Sequence, residues 1–178
     1  MRTLLTSDIH FFHKNIIAYC DRQHTDEYEM NDHIASVWNE QVRSEDRVLV
    51  VGDISAGLSG RSTELFSLLG SLPGKKYLIR GNHDHKPDEW YISAGFEQVV
   101  PWLWEDGILF IHKPATAGND AVLDLRAQLE PELIIHGHIH SAVNGQIPGH
   151  YNVAWDWHGR LLDYDEILHQ CNLSRTTL

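Results

Sequence analysis

The sequence predicts an α/β fold in which two mixed β-sheets pack as a sandwich flanked by α-helices. Three observations predict it. Apolar runs of strand length alternate with stretches of helical period along the 178-residue chain. Two regions, residues 98–112 and 133–155, bring strands into direct succession, as two packed sheets would. Four strand-like runs end on polar groups suited to a metal, and ligands of open α/β sheets gather at the carboxyl ends of strands.

The elements follow in order. Thr3-Leu4-Leu5-Thr6-Ser7 reads as the first strand and runs into Asp8-Ile9-His10. From about Glu27 to Val42, the helical period puts Met30, Ile34, Val37 and Trp38 on one face. Arg47 to Gly52 is the second strand and delivers Asp53. A helix around Thr63 to Leu69 turns Leu65, Leu68 and Leu69 inward, and the turn Pro73-Gly74 starts strand 76–80. That strand ends at Gly81-Asn82-His83-Asp84. Val99 to Trp104 reads as one strand, and Gly107 to Ile111 as another that ends at His112. Asn119 is placed to cap a helix that runs to about Glu130, where Pro131 stops it. Strand 132–136 leads into Gly137-His138-Ile139-His140. Gly145 and Pro148-Gly149 mark turns, Tyr151 to Trp155 a late strand, and Asp163 to Leu168 a final short helix.

No repeat, linker or low-complexity tract divides the chain, so a single domain over residues 1–178 is expected. A hydrophobic content of 42% excludes a disordered chain. The formal charge of −11 disfavours a broad electropositive surface for nucleic acid, although divalent cations would reverse the field locally. Cys20 and Cys171 have no metal-motif spacing and read as free thiols of a reduced compartment. Without a leader-like segment or an apolar run near the roughly 20 residues of a membrane span, the cytoplasm is the expected location. Oligomeric state is not legible. About half of the thirteen histidines fall at the strand ends, and that is where the chemistry is concentrated.

Asp, His and Asn together suit Mn, Fe, Zn, Co or Ni, and not Cu(I) or an iron–sulfur cluster. Asp8 and His10 are two apart, as are His138 and His140, a spacing at which both side chains can grip one ion. Asp53 and Asn82 each follow a strand and a glycine, which lets the backbone approach the crevice closely. A carboxylate such as Asp53 can bridge two cations. An imidazole cannot.

Taken together, Asp8-Ile9-His10, Gly52-Asp53, Gly81-Asn82-His83-Asp84, His112 and Gly137-His138-Ile139-His140 resemble, in order, the motifs of the calcineurin-like metallophosphoesterase superfamily. The likeness covers residues 3–140 and continues loosely from Asn152 to Asp156. The chain's size and its opening Ser7 to Asn15 look most like the short bacterial and phage members. One departure is Ala56, where many members carry a second aspartate that is not a metal ligand.

The resemblance implies two divalent metal ions, Mn first, with Fe, Zn, Ni or Co as alternatives. Asp8, His10, Asp53 and His140 would hold one, and Asp53, Asn82, His112 and His138 the other, Asp53 bridging. His83 would stand near the phosphoryl group as the catalytic residue, steadied by Asp84. The implied reaction is hydrolysis of phosphodiesters or phosphomonoesters by in-line attack of a metal-bound hydroxide. His83 would either protonate the leaving oxygen or hydrogen-bond to its developing charge. The expected partner is a small phosphate ester or nucleotide. The alternatives are a nuclease acting on single-stranded nucleic acid and a non-catalytic metal-binding module of the same fold.

Around this set, His136 reads as packed beside the site, and His13 either reaches the phosphate or caps the next helix. Lys14 and Arg80 read as a solvated lysine and a surface arginine, and His85 as solvent-facing. Trp102, Trp104, Trp155 and Trp157 read as sheet-packing aromatics.

Overall fold

The computed structural model describes residues 1–56, 60–140 and 147–174. The Gly145 turn lies outside them. Two sheets form the centre. The first contains β1 (Thr3–Thr6), β2 (Arg47–Val50), β3 (Lys75–Ile79), β4 (Phe96–Val100) and β9 (Leu162–Asp163), in the order β4-β3-β2-β1-β9. All its pairs are parallel except β1 with β9. The second contains β5 (Leu103–Glu105), β6 (Ile108–Phe110), β7 (Leu133–His136) and β8 (His150–Asn152), in that order. Here β6, β7 and β8 are parallel, and β5 is antiparallel to β6.

Strand alternation builds the layers. Leu4, Val48, Val50 and Leu78 face outward onto the helices, in a cluster with Met30, Ile34, Trp38, Leu65 and Leu69. Their neighbours Leu5, Leu49, Val51 and Ile79 face the second sheet and pack on Ile108, Phe110, Leu133 and Ile135. On the far side, Leu109 and Ile134 meet Val122 of the last long helix. Strands buried on both faces read as continuous apolar runs, which is why they were legible.

The helices are α1 (Lys14–Tyr19), α2 (Glu27–Gln41), α3 (Ser62–Ser71), α4 (Asp88–Ser93), α5 (Asp120–Leu129), α6 (Trp155–His158) and α7 (Tyr164–Gln170). Asp26 caps α2 by accepting hydrogen bonds from the amides of Tyr28 and Glu29, both 2.9 Å. The helix then buries Met30, Ile34 and Trp38 at a four-residue spacing. Val37 packs at the margin of the same cluster.

Four expectations need correction. The strand expected over 99–104 is two strands in different sheets, because Pro101 has no N–H to continue a ladder and the chain crosses between sheets there. The strand expected over 151–155 ends at Asn152, and Trp155 opens α6. Asn119 stands at the N-cap of α5, but its amide donates to the Pro114 carbonyl at 2.9 Å and caps nothing. Trp155 is buried, whereas Trp102, Trp104 and Trp157 are 39%, 38% and 46% exposed and do not pack the sheets.

Candidate metal centre

Within each sheet the strands that deliver candidate ligands run parallel, and the 3.2 Å approach of His112 to Asp53 brings the carboxyl ends of both sets together. The segment after β1 carries Asp8 and His10, and those after β2 and β3 carry Asp53 and Asn82. The segments after β6 and β7 carry His112, His138 and His140. Hydrogen bonds lace these segments together: Asp8 N to Gly52 O at 3.0 Å, His10 N to Asp53 O at 3.1 Å and Phe11 N to Ile54 O at 2.9 Å. Five candidate ligands sit in the left-handed region, with φ of 54° (Asp8), 56° (His10), 55° (Asp53), 72° (His138) and 49° (His140). Such residues cost about 1 kcal/mol or more each and cluster at functional sites.

These turns aim the side chains inward. Asp53 Oδ2 lies 3.7 Å from His10 Nε2 and 3.2 Å from His112 Nε2. Asp8 Oδ1 lies 3.7 Å from His140 Nε2, and the His10 and His140 rings stack at 5.2 Å. The His112 and His138 rings are 5.2 Å apart. Asp8, His10 and His140 form one group that could hold an ion, and Asp8, Asp53 and His112 another. The shared member of these groups is Asp8, whereas the sequence singled out Asp53; Asp53, however, also lies between His10 and His112.

The donor atoms fit a metal. Both nitrogens of His10, Nε2 of His112 and Oδ1 of Asn82 are buried with no hydrogen-bond partner. Buried polar atoms of this kind are rare unless something binds them. His112 Nδ1 is 2.9 Å from the Val51 carbonyl, which can only accept, so Nδ1 carries a proton and Nε2 is the atom left for an ion; against burial, Asp53 and Asp8 raise this imidazole. Burial drives the His10 imidazole down to about 3, and burial with His112 beside it drives His138 to about 4, so both are neutral at pH 7. Burial raises the Asp8 carboxyl, opposed by His112 and His140. Burial acts on Asp53 in the same sense, yet His112, the His83 amide and His10 hold it below the ordinary range.

The other named residues fall as follows. His83 is exposed at the mouth, its ring 5.4 Å from His10, and its amide donates to Asp53 Oδ1 at 2.8 Å. Asp84 is buried and accepts from the amides of Asp53 and Gly81, both 2.8 Å, and of Ile54 at 3.0 Å. Its carboxylate thus braces the backbone of two ligand segments, which replaces the expectation that it steadies the His83 ring. His13 makes no side-chain cap, and its ring lies 5.3 Å from His10 and 6.5 Å from His83, beside the centre. His136 is buried, with Nδ1 2.8 Å from the Gly137 carbonyl. Arg80 donates to Asp84 O, Lys86 O and Asp88, so it knits its own loop together. Lys14 and His85 are exposed.

A family model described as calcineurin-like phosphoesterase matches residues 1–142. The chain belongs to the calcineurin-like phosphoesterase family. Gene 66 protein of Mycobacterium phage L5 is 30% identical over 191 residues, covering 93% of this chain and 91% of that protein. Among solved structures, the Aquifex aeolicus protein AQ665 matches with a TM-score of 0.72 at 22% identity, covering 95% of this chain and 98% of the other. A novel archaeal phosphodiesterase matches at 0.50 and 15% identity, covering 93% and 95%. At such identities the structures show the fold alone. For this calcineurin-like phosphoesterase, the family implies divalent metal ions, and the Asp8–Asp53–His112 group is one place that could hold them. Among the described residues no helix is long and apolar enough to cross a membrane.

Four residues of this family member carry a place at the site that the sequence reading did not give them. Arg22 and Asp156 form a buried ion pair behind His140, with Nε to Oδ1 at 2.6 Å, and Asp156 Oδ2 lies 2.7 Å from His140 Nδ1. Against the burial that lowers it, Asp156 and Cys20 raise the His140 imidazole to about 10. The Cys20 sulfur lies within 4.8 Å of donor atoms of both His140 and Asp156. Lys113 lines a cavity of about 240 Å³ with Asn82, His112, Ile111 and Val122. A larger cavity of about 470 Å³, near Tyr151 and Trp157, includes none of the candidate ligands.

Proposed function

We propose that this chain is a hydrolase that cleaves small phosphate diesters at a centre for two divalent ions. The observation that carries the reading is the pair of buried carboxylates, Asp8 and Asp53, set among His10, His112 and His140 and flanked by nitrogens and an amide oxygen that have no protein partner. Asp8, His10, Asp53 and His140 would hold one ion, and Asp53, Asn82, His112 and His138 the other. Two such ions would lower the pKa of water and neutralise the phosphoryl oxygens during in-line displacement.

The protein's own groups do the rest. The Nδ1 contacts of His112 and His140 with Val51 O and Asp156 aim each Nε2 at the crevice, where it would serve as a ligand. His83 stands at the open mouth, where its ring supplies a proton or a hydrogen bond to the departing oxygen. The hydrogen bond that its backbone N–H donates to Asp53 Oδ1 fixes that ring's backbone relative to the centre. The apolar walls of the cavity beside Asn82 and His112 receive the organic group that stays on phosphorus, which is what favours a diester over a monoester. Lys113, which lines the same cavity, would meet a phosphoryl oxygen through its ammonium group. The acidic balance of the whole chain argues for a small substrate over a long nucleic-acid strand.

The test compares an aryl phosphodiester with its monoester, using metal-stripped protein reloaded with Mn²⁺. The expected result is preferential turnover of the diester. In Asp53→Asn that turnover should fall by more than the roughly 10–100-fold that changes behind a ligand cost. Turnover of the monoester alone would refute the diester reading, and bound metal without turnover of either would favour a binding module.

A further inference from the structure

We infer that Arg22 and Asp156 act as a clamp that positions one half of the metal centre, and only that half. The inference rests on the two-ion reading above. Arg22 lies two residues beyond Cys20, in the turn after α1, and its side chain is 4% exposed; Asp156 lies in the first turn of α6, and its side chain is 1% exposed. They are 134 residues apart in sequence. An ion pair this buried is costly to form unless its geometry is good and its remaining donors are satisfied. Both conditions are met. The guanidinium fork engages Asp156 twice, Nε to Oδ1 at 2.6 Å and Nη2 to Oδ2 at 3.0 Å. Two of its other hydrogens go to the main chain of the first ligand segment, Nη2 to Asp8 O at 2.7 Å and Nη1 to Ile9 O at 2.8 Å, and Nη1 also meets Met30 Sδ at 3.2 Å.

These carbonyls belong to the residues that place Asp8 and His10, both held at positive φ. Asp156 Oδ2, meanwhile, receives His140 Nδ1 at 2.7 Å, which orients the ring and leaves Nε2 facing Asp8 Oδ1 at 3.7 Å. One guanidinium therefore sets the ligand segment of Asp8 and His10 directly, and His140 through a carboxylate. These are the three residues grouped as a possible site of their own. No hydrogen bond from Arg22 or Asp156 reaches Asn82, His112 or His138 among the described residues. His112 is instead held by Val51 O. The imidazoles of the two halves are thus oriented by separate contacts, while the main chain joins them where the His138 amide donates to Asp8 Oδ2 at 2.9 Å.

The test is a calorimetric titration of Mn²⁺ into metal-stripped protein, with the exchange-coupled Mn²⁺ pair read by electron paramagnetic resonance. Wild-type protein should take up two ions. Asp156→Asn keeps the size of the side chain but offers His140 a poorer acceptor, and should weaken one binding step by about 10–100-fold. The other step should stay within threefold, and the coupled signal should give way to that of a single ion. Arg22→Lys, which cannot make the bidentate fork, should show the same split. Equal weakening of both steps would mark a general structural role and overturn the inference, as would two unchanged steps. A wild-type protein that takes up one ion or none would remove the two-ion reading, and this inference with it.

Discussion

Replacing Gly52 with alanine tests whether the centre depends on close backbone approach. Gly52 ends the β2 segment at φ +86°, next to Asp53. A Cβ there would stand 2.6 Å from His112 Cγ and 2.8 Å from Gly81 Cα, where real Cβ atoms essentially never come within 3.0 Å. His112 Nδ1 would be closer still than Cγ, so the imidazole would have to withdraw by more than about 0.4 Å, against the 2.9 Å bond that ties its Nδ1 to Val51 O. The left-handed backbone adds about 1–2 kcal/mol for any residue with a Cβ, and overpacking about 1–3 kcal/mol. Gly52→Ala should therefore destabilise the metal-free protein by roughly 2–5 kcal/mol, a fall in Tm of about 5–15 °C for a chain of this size. Gly70→Ala is the comparison. Its Cβ would meet only Ala94 O, at 3.9 Å, inside α3, so the same methyl should stabilise by up to about 1 kcal/mol. Thermal melts followed by circular dichroism would read both. A Gly52→Ala protein that melts within a degree of wild type would refute the packing argument and, with it, the fixed placement of His112.

Two further outcomes are expected. The Asp46 carboxylate accepts from Arg2 N at 3.0 Å, Arg2 Nη2 at 2.9 Å and Arg43 N at 3.1 Å; burial opposes its ionisation, but these donors bring it down to about 2. A depressed carboxyl stabilises above its unfolded value near 3.9 and loses that contribution as pH falls through about 2. Discounted for the half-exposed Arg2, Asp46→Asn should cost about 1–2 kcal/mol at pH 6 in urea melts, with the gap to wild type closing between about pH 4 and pH 2; an undiminished gap at the acid end would refute the assignment. Lys113→Ala should raise KM for the aryl diester about tenfold with little change in kcat, as expected for lost ground-state binding, and an unchanged KM would remove Lys113 from the substrate site.

What could be read from the sequence was what repeats locally. β2, β6 and β7 are largely apolar and buried on both faces, and each leads within three residues to a candidate ligand, so strands and ligands announced each other. The elements that escaped are short. β9 contributes only Leu162 and Asp163, paired with Leu5 and Leu4, and α1 has six residues with one buried side chain, Ile16. Neither is long enough for a period to show. The crossing at Pro101 was hidden because Val99, Val100, Leu103 and Trp104 have strand-like character whichever sheet they join. Asp84 was visible as a residue, but its partners are three backbone amides, and no residue pattern reports on main-chain donors. Arg22 and Asp156 meet only because α6 folds back over the first ligand segment.

These hidden residues explain how the strained part of the centre persists. Asp8, His10, Asp53, His138 and His140 all hold positive φ, a combined backbone cost of several kcal/mol in a molecule whose total stability is on the order of 10 kcal/mol. The opposing interactions are hydrogen bonds to the same segments: the Asp84 carboxylate on the amides of Asp53, Ile54 and Gly81, the Asp8 carboxylate on the His138 amide at 2.9 Å, and the Arg22 guanidinium on the carbonyls of Asp8 and Ile9. Charged acceptors and donors make the stronger hydrogen bonds, about 1.5–3 kcal/mol each. Strain and bracing therefore occupy the same residues, and the side chains left without protein partners, His10 and the crevice-facing atoms of Asn82 and His112, are the ones an ion would satisfy. Metal binding should then stabilise the fold as well as enable the chemistry, because an ion that binds only the native state adds its binding free energy to folding.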